Sequence, residues 1–157
     1  MKKALTIAAL FIMSIVVLNS CSKYEDGPGI SLRSKKARIA NIWKIDKIID
    51  LDTNEEINQD EFFGFTDSTS GMTYTVDFKI KMEKDGKMQI IASAMGFELP
   101  VASGTWEFVG DTGIKTSLVY INTTETVINE GTILRLANNE LWIKDKDNYQ
   151  MNLSSDK

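Results

Sequence analysis

The sequence contains no histidine, so the side chain that most often serves as general base or metal ligand near neutral pH is missing. It has one cysteine, Cys21, which excludes an internal disulfide and the metal sites built from paired thiolates. A serine nucleophile would need a lysine base, and no Ser/Lys spacing supplies one. Acids are plentiful, but Asp77 falls on the polar side of its segment and the others cluster between apolar runs. A pair of carboxylates flanking a scissile bond is therefore not indicated. These gaps argue against an enzyme, and no catalytic residue, cofactor or metal is expected.

The first residues carry an address. Lys2 and Lys3 precede an apolar run of 15 residues, Ala4 to Leu18, shorter than the ~20 that a membrane-spanning helix needs. Leu18-Asn19-Ser20-Cys21 ends it, with small residues just before the cysteine. This resembles the bacterial lipobox, in which the cysteine is acylated and becomes the first residue of the mature chain. Residues 1–20 then read as a lipoprotein signal peptide and Cys21 as the lipidation site. Each acyl methylene contributes roughly 0.8 kcal/mol of membrane affinity, and several chains together hold a protein stably. The partner so implied is a membrane. Ser22 resembles the outer-membrane sorting position of such lipoproteins, and Glu25-Asp26 the acidic signal for surface exposure. The expected location is the outer membrane, on its periplasmic or cell-surface face.

Charge is split along what remains. Residues 21–40 carry five basic and two acidic groups, while residues 41–157 carry 11 basic and 20 acidic ones. That division, +3 against −9, disfavours nucleic acid as a partner of the body. It suits a basic tether beside anionic headgroups. Residues 21–40 read as anchor, tether and short helix, with Ser31 as N-cap and Leu32 and Ile39 on one face. Residues 41–157 are enough for one domain with one core.

The body reads as consecutive hairpins. Tyr74, Val76, Phe78, Ile80 and Met82 alternate with Thr75, Asp77, Lys79 and Lys81, the period of a half-buried strand. Asp85-Gly86 supplies a tight turn, and Met88 to Met95 returns from it. A turn region from Gly96 to Gly104 leads into Thr105-Trp106-Glu107-Phe108. Ile42 to Ile49 forms the first strand, and Ile114 to Ile121 a later one. Thr124 to Ile128 is a weaker strand, interrupted at Asn129-Glu130-Gly131. Asn138-Asn139 joins two more, and Tyr149 to Leu153 alternates again. Asp50 to Asp60 reads as a loop, with Phe62-Phe63-Gly64-Phe65 folded back over the core. About eight or nine short strands with no long crossover argue an up-and-down sheet closed into a barrel.

Particular residues then suggest a family. The lipobox, the Asp26 to Arg38 segment, Trp43 three residues after Ala40, Gly104-Thr-Trp-Glu-Phe108 and Glu140-Leu-Trp-Ile-Lys144 occur in that order. Together they resemble the lipocalin-like lipoproteins of bacteroidete-type bacteria, over most of residues 21–153. Asn41 stands where the wider lipocalin pattern has glycine. The resemblance implies an all-β, small lipocalin-like barrel of about eight strands with a short N-terminal helix closing one end.

Tyr74, Phe78, Trp106 and Tyr120, with Phe108 and Leu118, share the apolar faces and are the candidate ligand contacts. The same alternation also describes side chains that fill a small barrel. Asp50, Asp52, Asn54, Asn58 and Glu61 stand at the liganding spacings of an EF-hand loop, but Glu55 replaces the glycine that its turn requires. Two functions follow. One is a membrane-anchored lipocalin-like protein of the bacterial envelope that binds a small apolar or amphiphilic ligand. The other is an accessory or structural envelope lipoprotein acting through protein contacts, with no ligand in the barrel.

Cys21→Ala removes the only thiol able to accept a diacylglyceryl group. Metabolic labelling with a palmitate analogue should mark the wild type and not the variant. Equal label in both overturns the lipoprotein reading.

Overall fold

A computed structural model of the chain describes residues 33–63 and 76–156. Among the described residues, two short helices, α1 (Lys35–Ile39) and α2 (Gln59–Phe62), accompany nine strands. The first strands are β1 (Ile42–Asp50), β2 (Glu55–Ile57), β3 (Asp77–Met82) and β4 (Lys87–Ala94). Then follow β5 (Phe97–Val109), β6 (Gly113–Tyr120), β7 (Thr126–Leu136), β8 (Glu140–Asp145) and β9 (Tyr149–Ser155).

Each strand from β3 to β9 pairs antiparallel with the next, and β9 returns to β1. β1 also pairs with β3, so eight strands close an antiparallel barrel, and β2 lies along β1 beside β3. The expected small up-and-down all-β barrel with a short N-terminal helix is what forms.

The alternation marks inside and outside. Phe78, Ile80 and Met82 are buried while Asp77, Lys79 and Lys81 point outward. Lys79 bridges Asp156 at 2.9 Å and Glu98 at 2.8 Å on that outer face. Those two carboxylates, Asp156 first, raise its pKa above the ordinary lysine value.

One end is sealed. Ile39, Trp43, Leu136, Leu141 and Leu153 are buried to 1% exposure or less. The Trp43 indole N–H donates to the Ile39 carbonyl at 2.8 Å, tying α1 to β1. The Arg38 guanidinium donates to the Leu136 carbonyl at 2.6 Å, and the Lys35 ammonium sits 4.0 Å above the Phe108 ring. The helix is shorter than its sequence suggested, because Ser34 takes the cap: its Oγ accepts from the Ala37 N–H at 3.1 Å. Among the described residues every buried core residue lies between Ile39 and Leu153, all within residues 22–157.

Three boundaries differ from expectation. β7 runs unbroken through Asn129-Glu130-Gly131, since β6 pairs with it residue by residue from Thr126 to Thr132. Ladder bonds to a neighbour outweigh the turn tendency of Asn and Gly. β5 starts at Phe97, because Met95 and Gly96 take φ of 52° and 81° and complete a two-residue turn. Pro100 is tolerated inside β5 at a register shift, above the level where β6 begins to pair. Asp50 to Asp60 holds β2 and the start of α2 rather than plain loop.

Trp106 is 4% exposed and Ile128 54% exposed, on opposite faces of the wall. Trp106→Ala should cost roughly 3–5 kcal/mol. Ile128→Ala should stay within about 0.5 kcal/mol. Denaturant midpoints measure both, and equal losses would mean that the faces are misassigned.

Candidate functional site

The barrel is filled at the α1 end and hollow toward the other. A cavity of about 400 Å³ opens there, within the range of small-molecule sites. Its floor is apolar, with Ile80, Met82, Met88, Ile90, Leu118 and Met151 among its walls. Nearer the mouth stand Phe62, Phe63, Tyr120 and Tyr149, then Asn129, Asp145, Lys146 and Asp147.

The space comes from small inward side chains. Thr116, Asn129 and Gly131 face the lumen on β6 and β7, where the sealed end carries Ile133 and Leu136. Gly104 allows the wall itself to close tightly, since a Cβ there would run into the Ser117 carbonyl oxygen. Thr116 and Asn129 are register partners and place two neutral hydrogen-bonding groups side by side in an otherwise apolar wall.

The β1–β3 seam makes the mouth. β3 pairs with β1 only from Ile42 to Lys44, and β2 takes the same edge from Ile48 to Asp50. Gln59 of α2 bridges the gap. Its Nε2 donates to the Ile45 carbonyl at 2.9 Å, and its Oε1 accepts from the Phe78 N–H at 3.2 Å. One side-chain amide thereby substitutes for a missing rung and positions α2 at the rim. Phe62 then meets Tyr149 edge to face at 5.5 Å, and Phe63 lies 4.5 Å from Phe78.

The candidates from sequence separate. Tyr120 lines the cavity, and burial raises its phenol pKa above the ordinary value. Phe78 and Trp106 are buried in the wall and are not among the cavity's lining residues. Phe78 packs under Phe63, and the Trp106 indole donates to the Glu83 carbonyl at 3.1 Å. Leu118 lines the floor, whereas Phe108 packs against Trp106. Tyr74, like Phe65 and Cys21, lies outside the described residues. Thr116, Asn129, Tyr149 and Met151 escaped the sequence reading. Alternation on β7 would have placed Asn129 inward had that strand been extended through its polar residues, whereas Tyr149 and Met151 already shared a face of the alternating Tyr149 to Leu153 segment and were not singled out.

The residues at EF-hand spacing are used otherwise. Asp50 ends β1 opposite Glu55 in a tight hairpin, with Asn54 at φ 59°. Asp50 Oδ1 accepts from the Asp52 and Thr53 amides at 2.8 and 3.3 Å. Asn58 precedes α2, and Glu61 lies within it. A hairpin and a helix therefore share the twelve positions, which do not wrap a common centre.

Gln59→Ala removes both bridging bonds and leaves a part-buried carbonyl and amide without that partner. Stability should fall by roughly 1–3 kcal/mol. Hydrogen exchange should speed up at the Phe78 amide while the β4–β5 amides keep their protection. Unchanged exchange at Phe78 would show that the bridge does not hold the seam. Comparison with protein-family models, curated proteins and solved structures gave no match, so geometry alone assigns the site.

Proposed function

We propose that this chain is a lipid-anchored binding protein of the bacterial envelope whose barrel takes a small apolar or amphiphilic molecule. The supporting observation is the cavity: about 400 Å³, apolar at its floor, polar at its mouth, closed below by α1. A barrel serving only as a scaffold gains stability by filling its lumen, because each void forfeits dispersion contacts. Retaining space lined by Ile80, Ile90, Leu118 and Met151 is what a ligand for those side chains requires. The reading is binding rather than catalysis, since the described lining residues present no nucleophile–base pair. The envelope address rests on Leu18 to Cys21 and on the resemblance to lipocalin-like lipoproteins.

A second reading has an observation of its own. The β4–β5 hairpin carries Met95, Phe97 and Leu99 at 80%, 79% and 56% exposure. Three large apolar side chains on one turn suit a protein contact, as an accessory envelope lipoprotein would need.

Thermal shift on residues 22–157 with uncharged and charged amphiphiles separates the two readings. A ligand at about 100 times its Kd should stabilise by roughly 2.7 kcal/mol. Thr116→Phe, which fills the lumen, should abolish that shift, whereas Val119→Phe, on the outer face of the same strand, should leave it. No shift from any amphiphile would sink the binding reading and favour the contact reading.

A further inference from the structure

Resting on the binding reading of the same cavity, we propose that the cup selects an amphiphile with a positively charged head, an amine or quaternary ammonium. The apolar body lies on the floor, and the head stays at the mouth between aromatic rings and carboxylates.

Two independent features of the mouth point to a cation. The first is charge. Glu130, Asp145 and Asp147 line the cavity against one cation, Lys146, which itself stands between two of them in sequence. Glu130 also lies 3.8 Å from Lys115 on the outer side, so Asp145 and Asp147 dominate the rim. The connections around the mouth add Asp52, Glu55, Glu56, Glu61 and Glu125. Lys146 is the sole basic residue among the described residues of those connections. An anionic head entering here meets a field of its own sign, and a cationic one is drawn in.

The second feature is the ring set. Phe62, Phe63, Tyr120 and Tyr149 line the same end of the cavity. Aromatic faces attract ammonium groups through the ring quadrupole, most strongly where water is partly excluded. The two features are physically joined. Asp145 Oδ1 accepts from the Tyr149 N–H at 2.9 Å and from the Asp147 N–H at 2.9 Å. The carboxylate is thereby fixed at the backbone of Tyr149, whose ring lines the same cavity, and both backbone donors use one oxygen. Phe62 stands edge-on to Tyr149 at 5.5 Å, so a head lying there meets ring and carboxylate together.

A chain-matched series tests the head alone. Dodecyltrimethylammonium, dodecyl maltoside and laurate, all below micelle formation, are titrated into residues 22–157 by calorimetry, with circular dichroism confirming the fold. The ammonium should bind on the order of tenfold tighter than laurate. That preference should shrink when ionic strength is raised about tenfold. Asp145→Asn combined with Asp147→Asn keeps the amide-oxygen acceptors of the turn but removes both charges. It should erase the preference for ammonium while leaving maltoside affinity within about twofold, as expected for a head that makes no charged contact. Laurate binding as tightly as the ammonium, or a preference that survives the double variant, overturns the head-group inference and leaves the cup reading intact. Binding by none of the three, maltoside included, overturns both.

Discussion

The pairing of β1 with β9 is the constraint on which the rest depends. It runs from Trp43 opposite Ser155 to Asp50 opposite Tyr149, and it removes both edges of a sheet that would otherwise expose two rows of unpaired amides. Committing one whole side of β1 to β9 leaves its other side to be divided. Three residues go to β3, three to β2, and between them the Ile45 carbonyl depends on Gln59. Closure at one end and divergence at the other are thus consequences of the same strand. The divergence admits α2, and α2 brings Phe62 and Phe63 to the rim.

The barrel's two ends differ because inward residue size changes along β6, β7 and β8. Toward α1 the inward positions are Ile133 and Leu136, buried in the one core, with Ile114 and Leu141 lining the cavity next to them. Toward the mouth they become Thr116, Asn129 and Gly131, which leave volume behind. Interiors of small barrels are set by such tapering of side-chain size. The mouth stays open without collapsing because the ladder on both sides of β6 fixes the wall independently of what fills it. Wall stability and lumen volume are therefore separable, which lets a cavity exist in a domain of this size.

Much of the fold was legible because it is carried by local signals. The alternation from Asp77 to Met82, the Asp85-Gly86 turn with Gly86 at φ 94°, and the Trp43 and Trp106 anchors are each short-range patterns. What escaped depends on partners distant in sequence. Asn129-Glu130-Gly131 has the composition of a turn and is held extended by β6. Gln59 sits in an acidic stretch that resembles a loop, and its two partners lie 14 and 19 residues away. The site suffered most. Alternation identifies the inward face but does not say at which height the lumen is filled. Of the aromatics read as candidates, Trp106 and Phe78 went to the wall and Tyr120 to the cavity. A comparison of inward residue sizes strand by strand was the available signal.

The position of the chain's entry gives the barrel a direction. The described residues begin at Arg33, and α1 carries Lys35, Lys36 and Arg38 across the sealed end. The mouth lies at the far end of strands such as β1, whose nine residues at ~3.3 Å each span about 30 Å. On the lipoprotein reading, 12 residue steps separate Cys21 from Arg33, a reach of at most about 43 Å. Under the proposed anchoring, electrostatics would bias the orientation of the barrel. Basic α1 is attracted to anionic headgroups, while the acidic connections of the mouth are repelled by them, each within a Debye length of about 8 Å. Under the proposed anchoring, the sealed end would then face the bilayer and the mouth would face away from it. On the proposed binding function, a ligand in this arrangement would arrive from the aqueous side or from another carrier, because the leaflet holding the proposed anchor would be presented with the α1 end of the barrel.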